Sequence, residues 1–249
     1  MKGWRGIVVP LGLVVAAELA ASTMQKNAFA PSRILVACLR VLEDGSLVVA
    51  AAQTLLAAGA GLLIGAGAGL AGGFVLGLAS RLAALSGLSI EMLRAIPAIA
   101  ILPLSLLIFG PGHRVEIAIV AFACFWPMLI GTSRALARAD DRLLDVARLM
   151  RLGVLATFSE IMFPPAASRV VDALRIATAL ALTTAVAVEV VVNPLGFGRS
   201  LMLAQESLRP DRMFAMLLYL GLIAVVFDLV LRRIGRALAV DRSGAEEIG

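Results

Sequence analysis

The sequence has few of the residues that catalysis and metal binding require. It contains one histidine and two cysteines, and only 16% of its 249 residues are charged. One histidine and two cysteines cannot build a Cys/His metal cluster, and His113 lies in a predicted loop, which leaves no credible Ser/His/Asp set. A structural disulfide is disfavoured because Cys124 lies inside an apolar run. The sequence also has no G-x-x-x-x-G-K-[ST] phosphate loop, so it lacks that device for binding ATP.

Apolar residues are what the sequence has in excess. They make up 61% of the chain, whereas a soluble domain has about 45–50% even when glycine is included. The apolar runs are long, continuous and rich in Ala and Leu, which is typical of transmembrane helices and not of alternating strands. The composition therefore predicts an all-α integral membrane protein.

About six segments qualify as transmembrane helices, since a helix needs roughly 20 apolar residues to cross the hydrocarbon layer. They are Gly6–Ala21, Leu47–Leu70, Ile90–Phe109, Val115–Leu136, Val170–Val192 and Met213–Leu231. The first segment is short and contains Pro10 and Glu18. A cleaved signal peptide is the alternative interpretation of this segment, and we favour a retained span.

The basic residues indicate the orientation of the chain. With the N-terminus in the cytoplasm, about two-thirds of the lysines and arginines fall in cytoplasmic segments, as the positive-inside rule requires. Both termini are then cytoplasmic. The net charge of +5 therefore reflects membrane topology, and nucleic acid is not an expected partner.

A short amphipathic helix is predicted between the fourth and fifth spans. Asp140 is a plausible N-cap, and Leu143, Ala147 and Met150 form one apolar stripe. Asp145 lies on the opposite face. Such a helix either lies on lipid headgroups or docks into a groove of a cytoplasmic partner, and the pattern alone favours the headgroup interpretation.

The same loop resembles the E-A-A loop of permease subunits of ATP-binding-cassette (ABC) importers. In that motif, E-A-A-x3-G-x9-I-x-L-P, the acid and the final proline are 19 positions apart, which is the separation of Asp145 and Pro164. Arg151 occupies the glycine position, with a glycine at Gly153, so the helix is expected to run on further here.

Other segments resemble the nitrate/sulfonate/taurine-type permeases in particular. The matching stretches are Arg94-Ala95-Ile96-Pro97, Leu102-Pro103-Leu104, Phe109-Gly110-Pro111-Gly112, Phe125-Trp126-Pro127-Met128-Leu129, Leu174-Arg175, Glu189 and Gly196-Phe197-Gly198. Together with the loop, the likeness extends over nearly the whole chain.

The resemblance implies a type I ABC importer permease in a bacterial-type inner membrane. Residues 1–46 would form an N-terminal span and an outer loop, residues 47–240 the transmembrane domain with a coupling loop at 139–165, and residues 241–249 a cytoplasmic tail. The implied partners are a cytoplasmic ATPase dimer that binds ATP and Mg²⁺, a second permease copy, an extracytoplasmic substrate-binding protein and membrane lipid. This chain would bind no cofactor and have no ATPase site of its own. The implied substrate is a small anion such as a sulfonate, taurine or nitrate.

The resemblance also assigns site residues. The expected ATPase-coupling residues are Asp140, Asp141, Leu143, Leu144, Asp145, Ala147, Met150, Arg151 and Gly153. The candidates for the translocation path or its gate are Pro97, Pro103, Arg175, Glu189 and Gly196.

Each path candidate has a structural alternative. Both prolines would kink the third span, either for packing or to line the path. Arg175 either attracts an anion or pairs with Asp172 three residues earlier. Glu189 is the one intramembrane acid that we identify, and we expect a structural or gating role, through an interhelical hydrogen bond or a pair with Arg199, because a bare carboxylate would repel an anion.

A repeated G-x-x-x-G face at Gly61, Gly65 and Gly69 predicts close helix packing, and the sequence does not identify the partner helix.

Two other functional classes remain. A self-sufficient secondary transporter or channel would need its own charge relay and often two similar halves. A non-transporting partner permease is the other, since Arg151 departs from the loop pattern.

Overall fold

The computed structural model describes residues 12, 15–21, 30–43, 45–137, 149–150, 152–153 and 163–240, and most of these are helical with no strand among them. The helices are α1 (Pro31–Glu43), α2 (Ser46–Leu78), α3 (Ser80–Arg94), α4 (Leu102–Phe109), α5 (His113–Ala137), α6 (Phe163–Val191), α7 (Gly196–Glu206) and α8 (Pro210–Val240), with a 3₁₀ turn at Ala98–Ile101. The prediction of an all-helical membrane fold is confirmed.

Three of the described helices are long and apolar enough to cross a membrane. They are α2, α5 and the Ala166–Val191 part of α6, and the bent pair formed by α3 with residues 98–109 makes up to a fourth. Helix α8 contains the sixth predicted span. Of the first predicted span, residue 12 and residues 15–21 are described, and they are helical.

The predicted outer loop between the first two spans contains a helix at Pro31–Glu43. Ala37 and Val41, one turn apart, are the buried residues of α1, and Val41 packs with Met216 of α8. The Tyr219 hydroxyl of α8 donates to the Cys38 carbonyl over 2.9 Å. A 13-residue helix is too short to cross the hydrocarbon layer, which is why the sequence did not suggest a span here.

The third predicted span is two helices, not one kinked helix, and it begins ten residues earlier than predicted. Helix α3 ends at Arg94, and the chain turns through 80° before residues 98–109. Pro97 lies in the break with extended backbone angles. Pro103 lies in the first turn of α4, where a missing N–H leaves no hydrogen bond unmade. Only Pro97 therefore interrupts the span, and the prediction of a kink at Pro103 is wrong.

The glycine face of α2 packs against α5 of the same chain. A Cβ at Gly65 would collide with the backbone of Ala121, and one at Gly69 would collide with the carbonyl of Phe125. Gly67, on the opposite side of α2, has no atom within 4 Å of such a Cβ. The small residues therefore permit backbone contact between two spans, as in other membrane helix pairs.

Alanines continue this close packing onto α6. Ala177, Ala181 and Ala185 are fully buried in one cluster with Cys124 of α5. The Cys124 thiol donates to the Ala177 carbonyl over 3.2 Å. Helices α2, α5 and α6 thus form one tightly packed unit that holds the polar groups described below.

Candidate functional site: a buried carboxyl cluster and an open groove

A buried carboxylate joins α2, α6 and the start of α7. Glu189, near the end of α6, accepts a hydrogen bond at Oε1 from the Thr54 hydroxyl of α2 over 2.6 Å. Its Oε2 accepts one from the Gly198 backbone N–H over 2.8 Å. The Phe197 N–H donates in turn to Thr54 Oγ1 over 3.0 Å. Glu189 therefore caps the N-terminus of α7, where backbone N–H groups have no partner within the helix.

Gly196 allows α7 to begin directly against Glu189. Its backbone has φ +90°, which only glycine adopts readily, and a Cβ there would collide with the Glu189 carboxylate. The Gly196 N–H donates to Gln53 Oε1 over 3.0 Å. Gly196 is therefore a conformational requirement of this cluster.

A second buried carboxyl group lies beside the first. Glu116, in the first turn of α5, is within hydrogen-bonding reach of Glu189. Asn193 donates from Nδ2 to Glu116 Oε2 over 2.5 Å. Glu116 and Glu189 are 0% and 1% exposed. We call Thr54, Glu116, Glu189, Asn193 and the backbone of residues 196–198 the carboxyl cluster, and it joins α2, α5, α6 and α7.

Glu116 was missed by the sequence reasoning, and the prediction of one intramembrane acid is wrong. The signal was present, because Glu116 lies inside the predicted span Val115–Leu136. Glu116 is the second residue of that span, and an acid so close to the end of a span is expected to reach the lipid headgroups. The packing of α6 and residue 193 against α5 is what buries it. Glu189 forms the predicted interhelical hydrogen bond, and its two oxygens accept from Thr54 and the Gly198 N–H rather than from Arg199.

An open groove of about 530 Å³ lies between the break in the third span and helices α5 and α6. Residues that line it include Arg94, Pro97, Phe122, Trp126, Thr183 and Thr184. The indole N–H of Trp126 is buried and has no hydrogen-bond partner among the described residues. The groove thus has an apolar wall with two threonine hydroxyls and one guanidinium.

The other path candidates lie elsewhere. Arg175 of α6 contacts Asp172 at 4.0 Å, the pairing that the sequence offered as the alternative to anion binding. Neither Arg175 nor Pro103 lines the groove. Of the five candidates, Pro97 lines the groove, Glu189 and Gly196 belong to the carboxyl cluster, and two belong to neither. Among the described residues, no group of three or more His, Cys, Asp or Glu side chains could hold a metal ion.

Most of the predicted ATPase-coupling residues lie outside the described residues. Met150 and Gly153 are described, and both are exposed. The remaining residues of this set are Asp140, Asp141, Leu143, Leu144, Asp145, Ala147 and Arg151. The coupling role stays a prediction.

Comparisons with known proteins agree on one family. Relatives include the aliphatic sulfonates transport permease protein SsuC of Bacillus subtilis, 26% identical over 64% of this chain and 57% of the relative. SsuC of Escherichia coli is 32% identical over 59% and 57%, and the nitrate import permease protein NrtB of Leptolyngbya laminosa is 25% identical over 61% and 54%. The matches thus span a little over half the length of these relatives.

A solved structure shows the same fold. The inward-facing MetNI methionine ABC transporter matches with a TM-score of 0.67 and 18% identity, over 78% of this chain and 96% of that chain. The architecture is therefore that of a type I ABC importer transmembrane domain. The family of binding-protein-dependent transport system inner membrane components matches residues 47–240, which is most of the sequence, and the chain belongs to that family.

Proposed function

We propose that this chain is the membrane-spanning permease subunit of an ABC importer for a small anion. The family match over residues 47–240 is the observation that carries the proposal. The chain spans the membrane several times with both termini in the cytoplasm, and ATP is bound and hydrolysed by separate subunits. Its own task is to form part of the translocation path and to change conformation when those subunits close.

The groove is this chain's part of that path. It is open on one side, and the break at Pro97 forms one of its walls. A second permease copy facing the groove would close it into a passage between two chains. Pro97 serves this role by ending α3 and turning the chain, so that non-helical backbone faces the groove and not lipid.

The polar groups of the groove favour an anion. Arg94 supplies a guanidinium whose N–H groups are charged donors, and no carboxylate among the described residues lines the groove. An oxyanion is recognised by such donors, because an ionised acceptor strengthens each hydrogen bond. Relatives are named for the transport of sulfonates and of nitrate, which supports a sulfonate, taurine or nitrate as the substrate.

The partners follow from the same proposal. A cytoplasmic ATPase dimer docks on the amphipathic segment 140–153, and an extracytoplasmic binding protein delivers the anion to the outer side. The second permease is another copy of this chain or a related chain. A non-transporting role is not favoured, because the groove and its donors are present.

Reconstitution tests the function. We expect the chain, co-expressed with its cognate ABC ATPase, to purify as a stoichiometric complex. In liposomes the complex should accumulate a labelled sulfonate or nitrate only when ATP and a binding protein are present. Uptake by the purified chain alone, driven by an ion gradient without ATP, would contradict the proposal and support a secondary transporter.

A groove-filling substitution tests the path. Ala187 is exposed and lines the groove on α6, so Ala187→Trp should reduce ATP-dependent uptake several-fold while the yield of the complex stays unchanged. Ala52→Trp is the matched control, because Ala52 is also exposed, lies near the same membrane face on α2 and does not line the groove. Equal uptake by the two variants would place the path elsewhere.

A further inference from the structure

Among the described residues, the carboxyl cluster has two buried side-chain oxygens without a hydrogen-bond partner, Glu116 Oε1 and the amide oxygen of Asn193. Both oxygens of Glu189 accept hydrogen bonds, from Thr54 and from the Gly198 N–H. Glu116 Oε2 accepts one from Asn193. Glu116 Oε1 is buried and has no hydrogen-bond partner among the described residues. A buried polar atom in this state costs free energy that a native structure normally avoids.

The charges of the two carboxyl groups, Glu116 and Glu189, also indicate that a proton is bound between them. Two carboxyl groups in contact and out of reach of water cannot both be ionised, because their repulsion is barely screened there. Among the described residues, no lysine or arginine lies close enough for its positive charge to stabilise either carboxylate. The other titratable group in contact is His113, whose Nδ1 lies 3.6 Å from Glu116 Oε2, beyond normal hydrogen-bond length.

We propose that Glu116 and Glu189 share a single bound proton, which Glu116 carries on Oε1 and donates to an ionised Glu189. One proton supplies the missing partner of Oε1 and removes one of the two negative charges. It thereby makes the carboxyl cluster a proton-binding site that holds the ends of α2, α5, α6 and α7 together.

The assignment of the proton to Glu116 follows from the donors around each group. Glu189 receives a hydroxyl and a backbone N–H and lies at a helix N-terminus, all of which stabilise a negative charge. Glu116 receives one amide N–H and has a free oxygen. His113 is 43% exposed and its Nδ1 lies beyond hydrogen-bond length from Glu116, so it does not replace the proton between the acids. This inference stands whether or not the chain transports anions.

Isosteric variants and infrared spectroscopy test the proposal on the intact chain in detergent. The wild type should show the carbonyl stretching band of a protonated carboxylic acid, and Glu116→Gln should abolish it. Glu206→Gln, at an exposed glutamate of α7, should retain the band, and so should His113→Gln. Absence of the band from the wild type, or its loss in His113→Gln, would overturn the assignment.

Thermal stability gives an independent readout. Glutamine at 116 can accept from Asn193 and donate to Glu189 just as a protonated acid does, so Glu116→Gln should melt close to the wild type. Glu189→Gln removes the charged acceptor and turns an N–H₂ group towards one of its two donors, so its melting temperature should fall by several degrees. Equal losses in the two variants would overturn the proposal. A wild-type melting temperature that rises with Na⁺ at constant ionic strength, without an acid band, would also overturn it in favour of a bound cation.

Discussion

Gly65→Leu should abolish the folded form of the protein. A Cβ at this position would overlap the backbone carbonyl and Cα of Ala121, and backbone of a long helix cannot rotate away as a flexible side chain can. Overpacking a core with side-chain atoms alone costs about 1–3 kcal/mol. A clash with backbone forces α2 and α5 apart along their length, against a total stability of roughly 5–15 kcal/mol. The measurement is the yield of monodisperse protein in detergent, followed by its melting temperature.

Gly67→Leu is the matched control for this substitution. Gly67 lies two residues away on the exposed side of the same helix, where a Cβ would meet no atom within 4 Å. Replacing a mid-helix glycine there should stabilise α2 by about 0.5–1 kcal/mol, because glycine loses more backbone entropy on folding. The two variants should therefore shift stability in opposite directions. A folded Gly65→Leu protein with normal yield would contradict the packing of α2 on α5.

The glycine repeat shows what the sequence could and could not predict. The spacing of Gly61, Gly65 and Gly69 was enough to predict a close helix contact, because small residues at every fourth position share one face. It could not identify α5 as the partner. That partner is specified by complementary positions on α5, such as the backbone at Ala121, which carry no distinctive residue type.

The carboxyl cluster shows a different limit. Glu189 was identifiable because an acid in an apolar run is rare and costly. Thr54, Glu116 and Asn193 are 135, 73 and 4 positions from Glu189 in the sequence, and each is unremarkable in its own segment. They become a site only when α2, α5 and α6 pack together. Thr54 and Glu116 come from separate helices, which no local pattern relates.

The break in the third span was predictable in kind but not in position. Two prolines indicated an irregular helix, and only tertiary structure distinguishes them. Pro97 lies where the chain leaves α3, and Pro103 lies where α4 begins. A proline at the start of a helix favours that start, so the same residue type ends one helix and begins the next.

Ala147→Arg should abolish ATP-dependent uptake and release the ATPase, while the permease itself still folds. The sequence predicts that Ala147 lies on the apolar stripe of the segment 140–153 with Leu143 and Met150. If that stripe enters a groove of the ATPase, an arginine there is buried without a counter-charge, which costs about 3–5 kcal/mol. That corresponds to a loss of roughly 10²- to 10³-fold or more in affinity. The measurements are co-purification of the ATPase, uptake in liposomes and yield of the permease.

Arg148→Gln is the control for the docking prediction. Arg148 lies on the opposite, polar face of the predicted helix, so its substitution should leave the ATPase bound and uptake largely intact. The rival interpretation, a helix lying on lipid headgroups, predicts the reverse for Ala147→Arg, because an arginine at the interface extends its charge to the phosphates and strengthens the contact. Retention of the ATPase and normal uptake in Ala147→Arg would therefore contradict docking and support the interfacial helix. Release of the ATPase by Ala147→Arg but not by Arg148→Gln would support a protein partner on the apolar face.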